Sequence, residues 1–344
     1  MAETKGLDYR AAGVDLDRAE RDKEGMKDLL ESTRDERTLS KLGLFGGLYA
    51  VPADVPDPVL VSSADGVGTK LKLAFRTGTH RTVGQDLVNH CVNDILVQGA
   101  RPLFFLDYLA TGELEDGVVG EVVDGVAQAC RENRCALLGG ETAQMPDFYG
   151  KGEYDLAGFI VGIVARDRIL DGSRVQLGDH LIALPSSGLH TNGYSLARRI
   201  VFDVAGLRVE DLLPGLEEPV GSALLRVHRS YLRSLEVELE SGTVRALAHI
   251  TGGGLPGNLP RSLPEGLGAA VDTGSWEIPP IFRSLQELGT IEEQEMRRVF
   301  NMGVGMVVVT AAGEAAAVLS RLQDAGEEAW HLGEVVEGSG VRFE

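Results

Sequence analysis

The chain is poor in cysteine and has no long apolar run. Its 344 residues include three cysteines, a sparse and odd number that argues against a disulfide framework and favours a reducing cytoplasm. The closest pair, Cys130 and Cys135, fits no zinc-ligand spacing. No apolar stretch reaches the length of a membrane span, and the polar segment 1–32 lacks the apolar core of a signal peptide. We therefore expect a cytoplasmic protein without a membrane partner.

Basic residues are also in short supply. Lys and Arg number 33 against 52 Asp and Glu, which gives a formal net charge of −19. Such a surface repels phosphate backbones and anionic membranes, so we expect no nucleic-acid partner. An anionic small substrate would need locally placed Lys, Arg, backbone N–H groups or Mg²⁺. At this length, two domains are the natural expectation.

Several catalytic motifs are missing as well. The sequence has no G-x-S-x-G, no H-E-x-x-H and no C-x-x-C pair, which argues against the acyl-hydrolase, zinc-protease and dithiol classes. A dinucleotide-binding pattern does occur at Gly252, Gly254 and Gly257, after a predicted strand. Proline costs roughly 3 kcal/mol inside a helix, and prolines stand where the crossover helix would run: Pro256, Pro260 and Pro264. We therefore reject a NAD site.

The most informative segment that is present is Asp65–Lys70 (DGVGTK), which follows the apolar run 58–61. This order predicts a strand, a tight turn and a charged tip, without the spacing of a P-loop. Its glycines allow the backbone to approach phosphate oxygens, Lys70 could neutralise phosphate charge, and Asp65 could hold Mg²⁺. A plain surface turn is the alternative.

A helix is predicted over Gly84–Gly99, with apolar residues on one face. The other face carries five polar residues: Asp86, Asn89, His90, Asn93 and Asp94. A solvated face is the simplest interpretation. However, Asn and Asp are poor helix formers that favour caps and turns, so several of them on one helix suggest a function. Asp94 is the second candidate metal ligand.

Two later segments place glycines and polar groups just beyond predicted strands. In the first, Glu141 follows two glycines and is a third candidate metal-binding or base carboxylate, although Gly-Gly-Glu is also a common turn. The second, Ser186–Ser195, presents His190 and Asn192 in front of a predicted helix. Free N–H groups at a helix N-terminus bind anions, and plain N-capping is the alternative. Because His190 adds nothing to a cap, we favour a phosphate or substrate loop.

Two further segments follow the same plan. His249–Gly254 contains a histidine, the hydroxyl of Thr251 and three glycines, beginning with Gly252 and Gly253. Phe300–Met306 offers the amide of Asn301; its alternative role is a strand entry in which glycine tolerates a close neighbour. None of these segments alone decides the function.

Alternating strand and helix patterns predict an α/β or α+β fold in two domains. An N-terminal arm and glycine-rich loop cover 1–57, and the first domain covers 58–168. A second alternating series over 169–344 begins at a polar stretch and includes a predicted helix over Ser222–Ser241. The glycine-rich segment Leu42–Tyr49 is interpreted either as a flexible loop or as a lid over a ligand.

Taken in order, these segments resemble the motifs of phosphoribosylformylglycinamidine cyclo-ligase, also called aminoimidazole ribonucleotide synthetase. The resemblance covers essentially the whole chain in the family's order and spacing. It is carried by the segments Tyr9–Asp15, Asp65–Lys70, Cys91–Asp94, Val97–Ala100, Pro102–Tyr108, Gly139–Pro146, Ser186–Leu196, His249–Gly254 and Phe300–Met306.

The sequence departs from the family pattern in three places. Val227-His228-Arg229 stands where Pro-Thr-Arg is usual, so Arg229 survives as a candidate while that hydroxyl is lost. Leu189 and Thr191 replace a more usual Pro and Ser. Met302 replaces a more usual Cys, which excludes a catalytic thiol there.

The resemblance implies an ATP-dependent ring closure in purine biosynthesis. ATP would phosphorylate the amide oxygen of formylglycinamidine ribonucleotide, a substrate nitrogen would attack the activated carbon, and phosphate would leave. It also implies a homodimer in which strands of the two N-terminal domains close a barrel, with ATP near the interface, and a C-terminal α/β sandwich.

Site residues carried over by motif begin with Asp65 and Asp94 for Mg²⁺, and with Thr69 and Lys70 for ATP phosphates. Glu141 is a weaker metal or base candidate, and His249 is an acid–base candidate whose alternative is a buried structural histidine. Lys70 and His190 are also expected to be catalytic. The remaining expected ATP- or substrate-binding residues, with His190 among them, are Gly66, Gly68, His190, Asn192, Arg229, Thr251, Gly252, Gly253 and Asn301.

Two alternatives stay open. One is a sister phosphotransferase that makes selenophosphate or thiamine diphosphate, or the neighbouring purine amidotransferase synthetase. The selenophosphate branch usually needs a reactive N-terminal Cys or Sec, and here the first cysteine is Cys91 inside a helix. The other alternative is a catalytically silent nucleotide-binding module, which would have no need of an intact Asp65, Lys70 and Asp94.

Overall fold

A computed structural model describes residues 14–41, 43–113 and 116–344. Most of the N-terminal motif at Tyr9–Asp15 and part of the predicted lid lie outside these ranges. The N-terminal half forms helices and strands at α1 (Leu16–Glu31), β1 (Pro58–Gly66), α2 (Leu71–Thr77), α3 (Arg81–Leu96), β2 (Arg101–Thr111), α4 (Val118–Glu132), β3 (Ala136–Gln144) and β4 (Tyr154–Ala165).

The four N-terminal strands form a mixed sheet in the order β1-β4-β2-β3. β2 and β3 run parallel, and the other two pairs are antiparallel. Helix α3 covers one face so closely that a side chain at Gly158 would overlap Phe105 and Leu87. Gly84 and Gly125 let the backbones of α3 and α4 touch, because a Cβ at either would overlap the opposing helix backbone. The sheet is thus covered by helices on this side.

Four of the five polar residues on the second face of α3 are buried, so of the two interpretations of this face the solvated one is wrong. Asp86 and Asn93 have no exposed surface, and Asn89 and His90 are at most 5% exposed. These side chains lie against the segment 226–231 of the C-terminal domain. Their polarity therefore serves contacts between the two domains, which a helix-period pattern cannot distinguish from contacts with water.

The C-terminal half carries a six-stranded sheet in the order β10-β7-β9-β5-β8-β6, in which β10 and β7 are parallel. Apolar residues on alternate sides of its strands form two cores, so helices pack on both faces. The elements are β5 (His180–Pro185), α5 (Tyr194–Arg198), a π-helical turn (Arg199–Val204), α6 (Val220–Leu224), α7 (Leu232–Ser241), β6 (Val244–His249), α8 (Gly254–Asn258), β7 (Leu267–Val271), α9 (Pro280–Gly289), α10 (Glu293–Val299), β8 (Val304–Thr310), α11 (Ala312–Asp324), β9 (Trp330–Glu337) and β10 (Val341–Phe343).

The helix predicted over Ser222–Ser241 is wrong in its middle. Helix α6 ends at Leu224 and α7 begins at Leu232, with a non-helical link between them. Side chains of α3 take up the hydrogen-bonding groups of this link: Asp86 accepts from the His228 N–H, Asn89 donates to the His228 carbonyl, and Asn93 binds the Arg229 carbonyl and the Tyr231 N–H. Tertiary hydrogen bonds thus replace the helical ones.

Two other expectations can be compared with these elements. The predicted α/β class in two domains is confirmed. The short α8, followed by a 3₁₀ turn over Leu259–Ser262, leaves no long crossover helix after the Gly252 pattern, as the prolines predict. Within the described ranges, no helix is long and apolar enough to cross a membrane.

Candidate active site

Four histidines meet where the two domains contact each other. His90 lies on α3 and His249 ends β6, whereas His190 and His228 lie on loops of the C-terminal domain. All four are buried, and the neighbouring rings have centroids 3.9 to 5.3 Å apart. We call these residues the histidine cluster. The chain has seven histidines in all, so this concentration in one place points to a site.

Two carboxylates border the histidine cluster. Asp65 near the end of β1 and Asp94 on α3 are 43% and 25% exposed, so this edge of the site opens to solvent. His90 Nε2 lies 2.9 Å from Asp65 Oδ2 and 3.8 Å from Asp94 Oδ2. His249 Nδ1 lies 2.9 Å from Asp94 Oδ1, and Ser63 donates to the other oxygen of Asp94. The structure thus brings together Asp65, Asp94 and His249.

The charges of this edge shift the pKa values of its groups. Burial alone would lower the pKa of His90, but the Asp65 hydrogen bond and the charges of Asp94 and Asp65 outweigh it, so the pKa is raised. Burial would likewise raise the pKa of Asp65, and the hydrogen bond and charge of His90 lower it instead. Burial lowers the pKa of His249, and Asp94 only partly opposes this effect.

Backbone contacts fix the tautomer of His190. The Ser187 N–H donates to His190 Nε2 over 3.2 Å, so the ring proton of the neutral histidine is on Nδ1. Burial lowers the pKa of His190 well below its ordinary value, which keeps the ring neutral. His190 Nδ1 is buried and has no hydrogen-bond partner, and the same holds for Asn192 Nδ2 two residues later. The loop therefore presents two buried donors without protein acceptors.

Lys70 does not lie at a charged tip. Its side chain is fully buried, and Nζ lies 2.7 Å from Asp86 Oδ2. The ammonium also donates to the carbonyls of Arg226 and His190, at 2.8 and 3.2 Å. Burial lowers the pKa of Lys70, and the charge of Asp86 opposes that change. The strand-turn-tip interpretation is thus wrong beyond Thr69, because the chain turns inward into a 3₁₀ turn over Gly68–Lys70 and then α2.

The exposed part of the first motif is its middle. Asp65, Gly68 and Thr69 are exposed, and Gly68 has positive φ and open space around its Cα. The Thr69 hydroxyl lies 3.0 Å from the hydroxyl of Ser195, at the start of α5. Gly66, by contrast, is half-buried against the Leu156 carbonyl. The exposed residues form a rim that runs from the carboxylates toward the His190 loop.

The polar groups expected in the C-terminal motifs mostly hold loops in place. Asn301 binds Ser186, the Gly188 carbonyl and the Gly303 N–H, so its amide fixes the start of the His190 loop. Arg229 forms two hydrogen bonds of 2.8 Å to Glu327.

The Thr251 hydroxyl donates to the Asn258 amide oxygen. Gly252 lies beside Asn192: a Cβ there would be 3.2 Å from the Asn192 amide oxygen. Gly253 has a positive φ of 99°, which lets the chain turn into α8. These three residues therefore form a loop that packs beside Asn192.

Glu141 is not brought to the other carboxylates. It is exposed on the edge strand β3, in register with Tyr108 of β2. Asp65 is on β1 at the opposite edge, so two strands separate them, or roughly 14 Å at the usual strand spacing.

His90 and His228 were not predicted as site residues. The available signal was the spacing of His90 and Asp94, which places both on one face of a helix. No sequence signal places His228.

The fold and this carboxylate–histidine site define a two-domain α/β protein whose candidate site lies where the domains meet. Family models described as the N-terminal and C-terminal domains of AIR synthase related protein match residues 48–164 and 176–344. A relative from Sorangium cellulosum (strain So ce56), named phosphoribosylformylglycinamidine cyclo-ligase, is 54% identical over 98% of this chain and 97% of its own. One of the same name from Trichlorobacter lovleyi is 52% identical over 95% and 94%. The chain belongs to the phosphoribosylformylglycinamidine cyclo-ligase family, as its motifs predict.

Solved structures resemble this fold at lower identity. Thiamine-monophosphate kinase from Stenotrophomonas maltophilia K279a has a TM-score of 0.68 at 21% identity, over 93% of this chain and 96% of its own. The hydrogenase maturation protein HypE in complex with ATP has a TM-score of 0.66 at 19% identity, over 94% and 90%. At these identities the likeness shows the two-domain fold alone.

Proposed function

We propose that this protein uses ATP to close the imidazole ring of aminoimidazole ribonucleotide, starting from formylglycinamidine ribonucleotide. The observation that carries the proposal is the pair of carboxylates beside buried donors without partners, at a domain interface of a chain that belongs to the cyclo-ligase family. ATP as the second substrate is supported by the ATP complex of HypE, which shares the fold. ADP and phosphate are the other products.

The chemistry explains why ATP is needed. An amide oxygen leaves poorly, whereas its phosphate ester leaves well. Transfer of the γ-phosphoryl group to the amide oxygen releases ADP, and attack of the substrate nitrogen on the activated carbon then expels phosphate. The protein mainly has to position groups and stabilise charge.

The side chains divide this work by position. His190 Nδ1–H and Asn192 Nδ2 are buried donors without protein acceptors, and oxygens of a bound substrate would satisfy them. The exposed backbone at Gly68 and the exposed Thr69 hydroxyl would bind the ATP phosphates. Arg229, Asn301 and Thr251 hold the loops that carry these groups, in place of the direct contacts expected from the motifs.

A divalent cation fits the carboxylate edge. Asp65 and Asp94 offer oxygen donors beside one another, which is the chemistry that Mg²⁺ requires. When bound, such an ion would neutralise phosphate charge. Lys70 acts through other groups: its ammonium positions the carbonyls of His190 and Arg226, and so the loops that bear the site. Glu141 lies too far from Asp65 and Asp94 to bind the same cation.

We also propose that the protein is a homodimer that uses the open face of the N-terminal sheet. Ala64, Phe159 and Leu106 lie in register across three strands, on the face away from α3. Phe159 and Leu60 are 47% and 58% exposed, which is unusual for large apolar residues on a sheet face. A second copy of the same face would bury this surface, consistent with a barrel closed between two sheets.

The division at 58–168 and 169–344 is retained as the domain boundary, because β4 ends at Ala165 and β5 begins at His180. A cytoplasmic location is proposed on the cysteines, which are all unpaired and buried.

The first experiment is an assay with purified protein, formylglycinamidine ribonucleotide, ATP and Mg²⁺, in which ADP and the aminoimidazole product are both measured. The proposal predicts ADP that appears only with the nucleotide, in amounts equal to the product. ATP binding without turnover would favour a sister phosphotransferase or a silent module. Assays with thiamine monophosphate would separate these two outcomes.

A further inference from the structure

The hydrogen bonds behind the histidine cluster determine which ring atoms carry protons. The Tyr231 N–H can only donate, and it points at Asn93 Oδ1 over 3.0 Å. The amide nitrogen of Asn93 must therefore be the atom that faces the Arg229 carbonyl and, over 3.2 Å, His228 Nε2. Since an amide NH₂ can only donate, His228 Nε2 is an acceptor, and the proton of this neutral ring is on Nδ1.

This assignment decides the state of His249. His249 Nε2 lies 3.0 Å from His228 Nε2. Because His228 Nε2 is unprotonated, the proton between the two Nε2 atoms belongs to His249, whose N–H donates a hydrogen bond; the single lone pair of His228 Nε2 is then shared by the His249 and Asn93 donors. The other nitrogen, Nδ1, then presents a bare lone pair to Asp94 Oδ1, only 2.9 Å away. Two acceptors that face each other at this distance repel, and either a proton on Nδ1 or a metal ion bound to both atoms removes the repulsion.

His90 supplies a second nitrogen at the same place. Its Nε2 faces Asp65 and Asp94, while its Nδ1 lies 2.5 Å from the Thr191 hydroxyl. A hydroxyl can donate or accept. Without a metal, Thr191 can donate to Nδ1 and leave the Nε2 proton for Asp65. With a metal, Nδ1–H can donate to Thr191 and leave the Nε2 lone pair free for coordination.

We propose that Asp65, His90, Asp94 and His249 bind one divalent transition-metal ion, of the Mn²⁺ and Co²⁺ class, in preference to Mg²⁺. This rests on the cation site of the proposed function and adds nitrogen ligands to it. The donor atoms of His90, Asp94 and His249 all lie within 4.8 Å of one another. That spacing suits ligands of one ion with bonds of about 2.1 Å. Imidazole favours transition metals, whereas Mg²⁺ prefers oxygen and water.

The other histidines do not complete this site. His190, His228 and His249 also have nitrogens within 4.8 Å of one another. However, the His190 and His228 rings stack at 3.9 Å with planes 15° apart. In-plane lone pairs of stacked rings run side by side and do not converge on one ion. His228 instead accepts a hydrogen bond from the Nε2–H of His249 and so fixes the orientation of that metal-binding ring.

The test measures binding of Mn²⁺ alone to the full chain, without ATP or nucleotide. Titration calorimetry gives the affinity, and pulsed electron paramagnetic resonance detects the nitrogen ligands. The wild type should bind one Mn²⁺ per chain with ¹⁴N couplings from imidazole, at least tenfold tighter than Mg²⁺. His90→Gln and His249→Gln should each weaken Mn²⁺ binding by at least tenfold and remove part of the ¹⁴N signal. His180→Gln is the matched control, because His180 pairs with His331 in another part of the sheet, and its binding should equal the wild type.

Thr191→Val provides a variant that leaves all four ligands in place. Loss of the hydroxyl should weaken Mn²⁺ binding by about 10- to 100-fold while both ¹⁴N couplings persist. Mn²⁺ bound without ¹⁴N coupling, or Mg²⁺ bound equally well, would overturn the proposal. Either result with normal ring closure in Mg²⁺ would leave the proposed function intact. If Mn²⁺ binds with nitrogen coupling but no metal ion supports ring closure, the proposed metal site is retained and the proposed function is rejected.

Discussion

Lys70 Nζ and Asp86 Oδ2 lie 2.7 Å apart in the interior, with neither side chain exposed. Asp86 also accepts the His228 N–H, and Lys70 donates to the His190 carbonyl. One buried ion pair therefore anchors two of the segments that build the histidine cluster. Its removal should affect folding first and ligand binding only through the fold.

Lys70→Met leaves the Asp86 carboxylate buried without its partner. We expect a loss of about 3–5 kcal/mol in the free energy of unfolding, measured by urea denaturation. Lys72→Met is the matched control: Lys72 pairs with Glu153 at the surface, where a pair contributes at most about 1 kcal/mol. If the two variants are equally stable and only Lys70→Met loses affinity for ATP, Lys70 binds the ATP phosphates directly, as the motif predicts.

Asp65→Asn should abolish most turnover and leave the protein folded. The side chain is 43% exposed, so the change removes a cation ligand without opening the core. We expect kcat/KM for ring closure to fall on the order of a hundredfold or more, with an unchanged circular dichroism spectrum. Asp171→Asn, at an exposed turn, should match the wild type. Full activity of the Asp65 variant would remove the metal assignment.

Asp107 should make stability depend on pH. Burial raises its pKa to about 7, against an ordinary value of about 4. Between these values the folded chain holds a proton that the unfolded chain has released, so this group's contribution to stability is lost as the pH rises from 4 to 7.

The free energy of unfolding of Asp107→Asn should therefore increase relative to that of the wild type as the pH rises. The Asp107 side chain keeps some solvent contact. We therefore expect the difference in the free energy of unfolding between Asp107→Asn and the wild type to change by about 1–2 kcal/mol from pH 5 to pH 8. Urea denaturation at the two pH values measures this difference. The exposed Asp167→Asn should show the wild-type slope, and an identical slope in Asp107→Asn would contradict the prediction.

Phe159→Glu should prevent dimer formation. It places a charge in the centre of the apolar row on the open sheet face, where pairing with a second copy would bury it without a partner. Analytical ultracentrifugation should give a monomer for this variant and a dimer for the wild type. Leu177→Glu introduces the same charge at an exposed leucine of the C-terminal domain and should remain dimeric. A dimer in both variants would place the interface elsewhere.

The sequence by itself determined the family, the fold class and most strands. The apolar run 58–61 before the Asp65–Lys70 motif forms part of β1, because apolar runs and turn chemistry are local properties of the sequence. It also identified Asp65, Asp94 and His249, which the structure brings together from three separate motifs. The motifs of the family identify these residues even though the sequence does not show which of them are in contact.

Only the tertiary structure decided what the polar groups face. Lys70 was expected at a charged tip, and the polar face of α3 was open to a solvated interpretation; both are buried, because a second domain covers them. The link 226–231 was predicted as part of a helix, yet the side chains of Asp86, Asn89 and Asn93 take up its hydrogen-bonding groups and place His228 in the cluster. His90 joins Asp65, and Glu141 is kept apart from it, because strand order and helix packing set these distances. Contacts between residues far apart in the chain depend on both partners at once, and no local pattern encodes them.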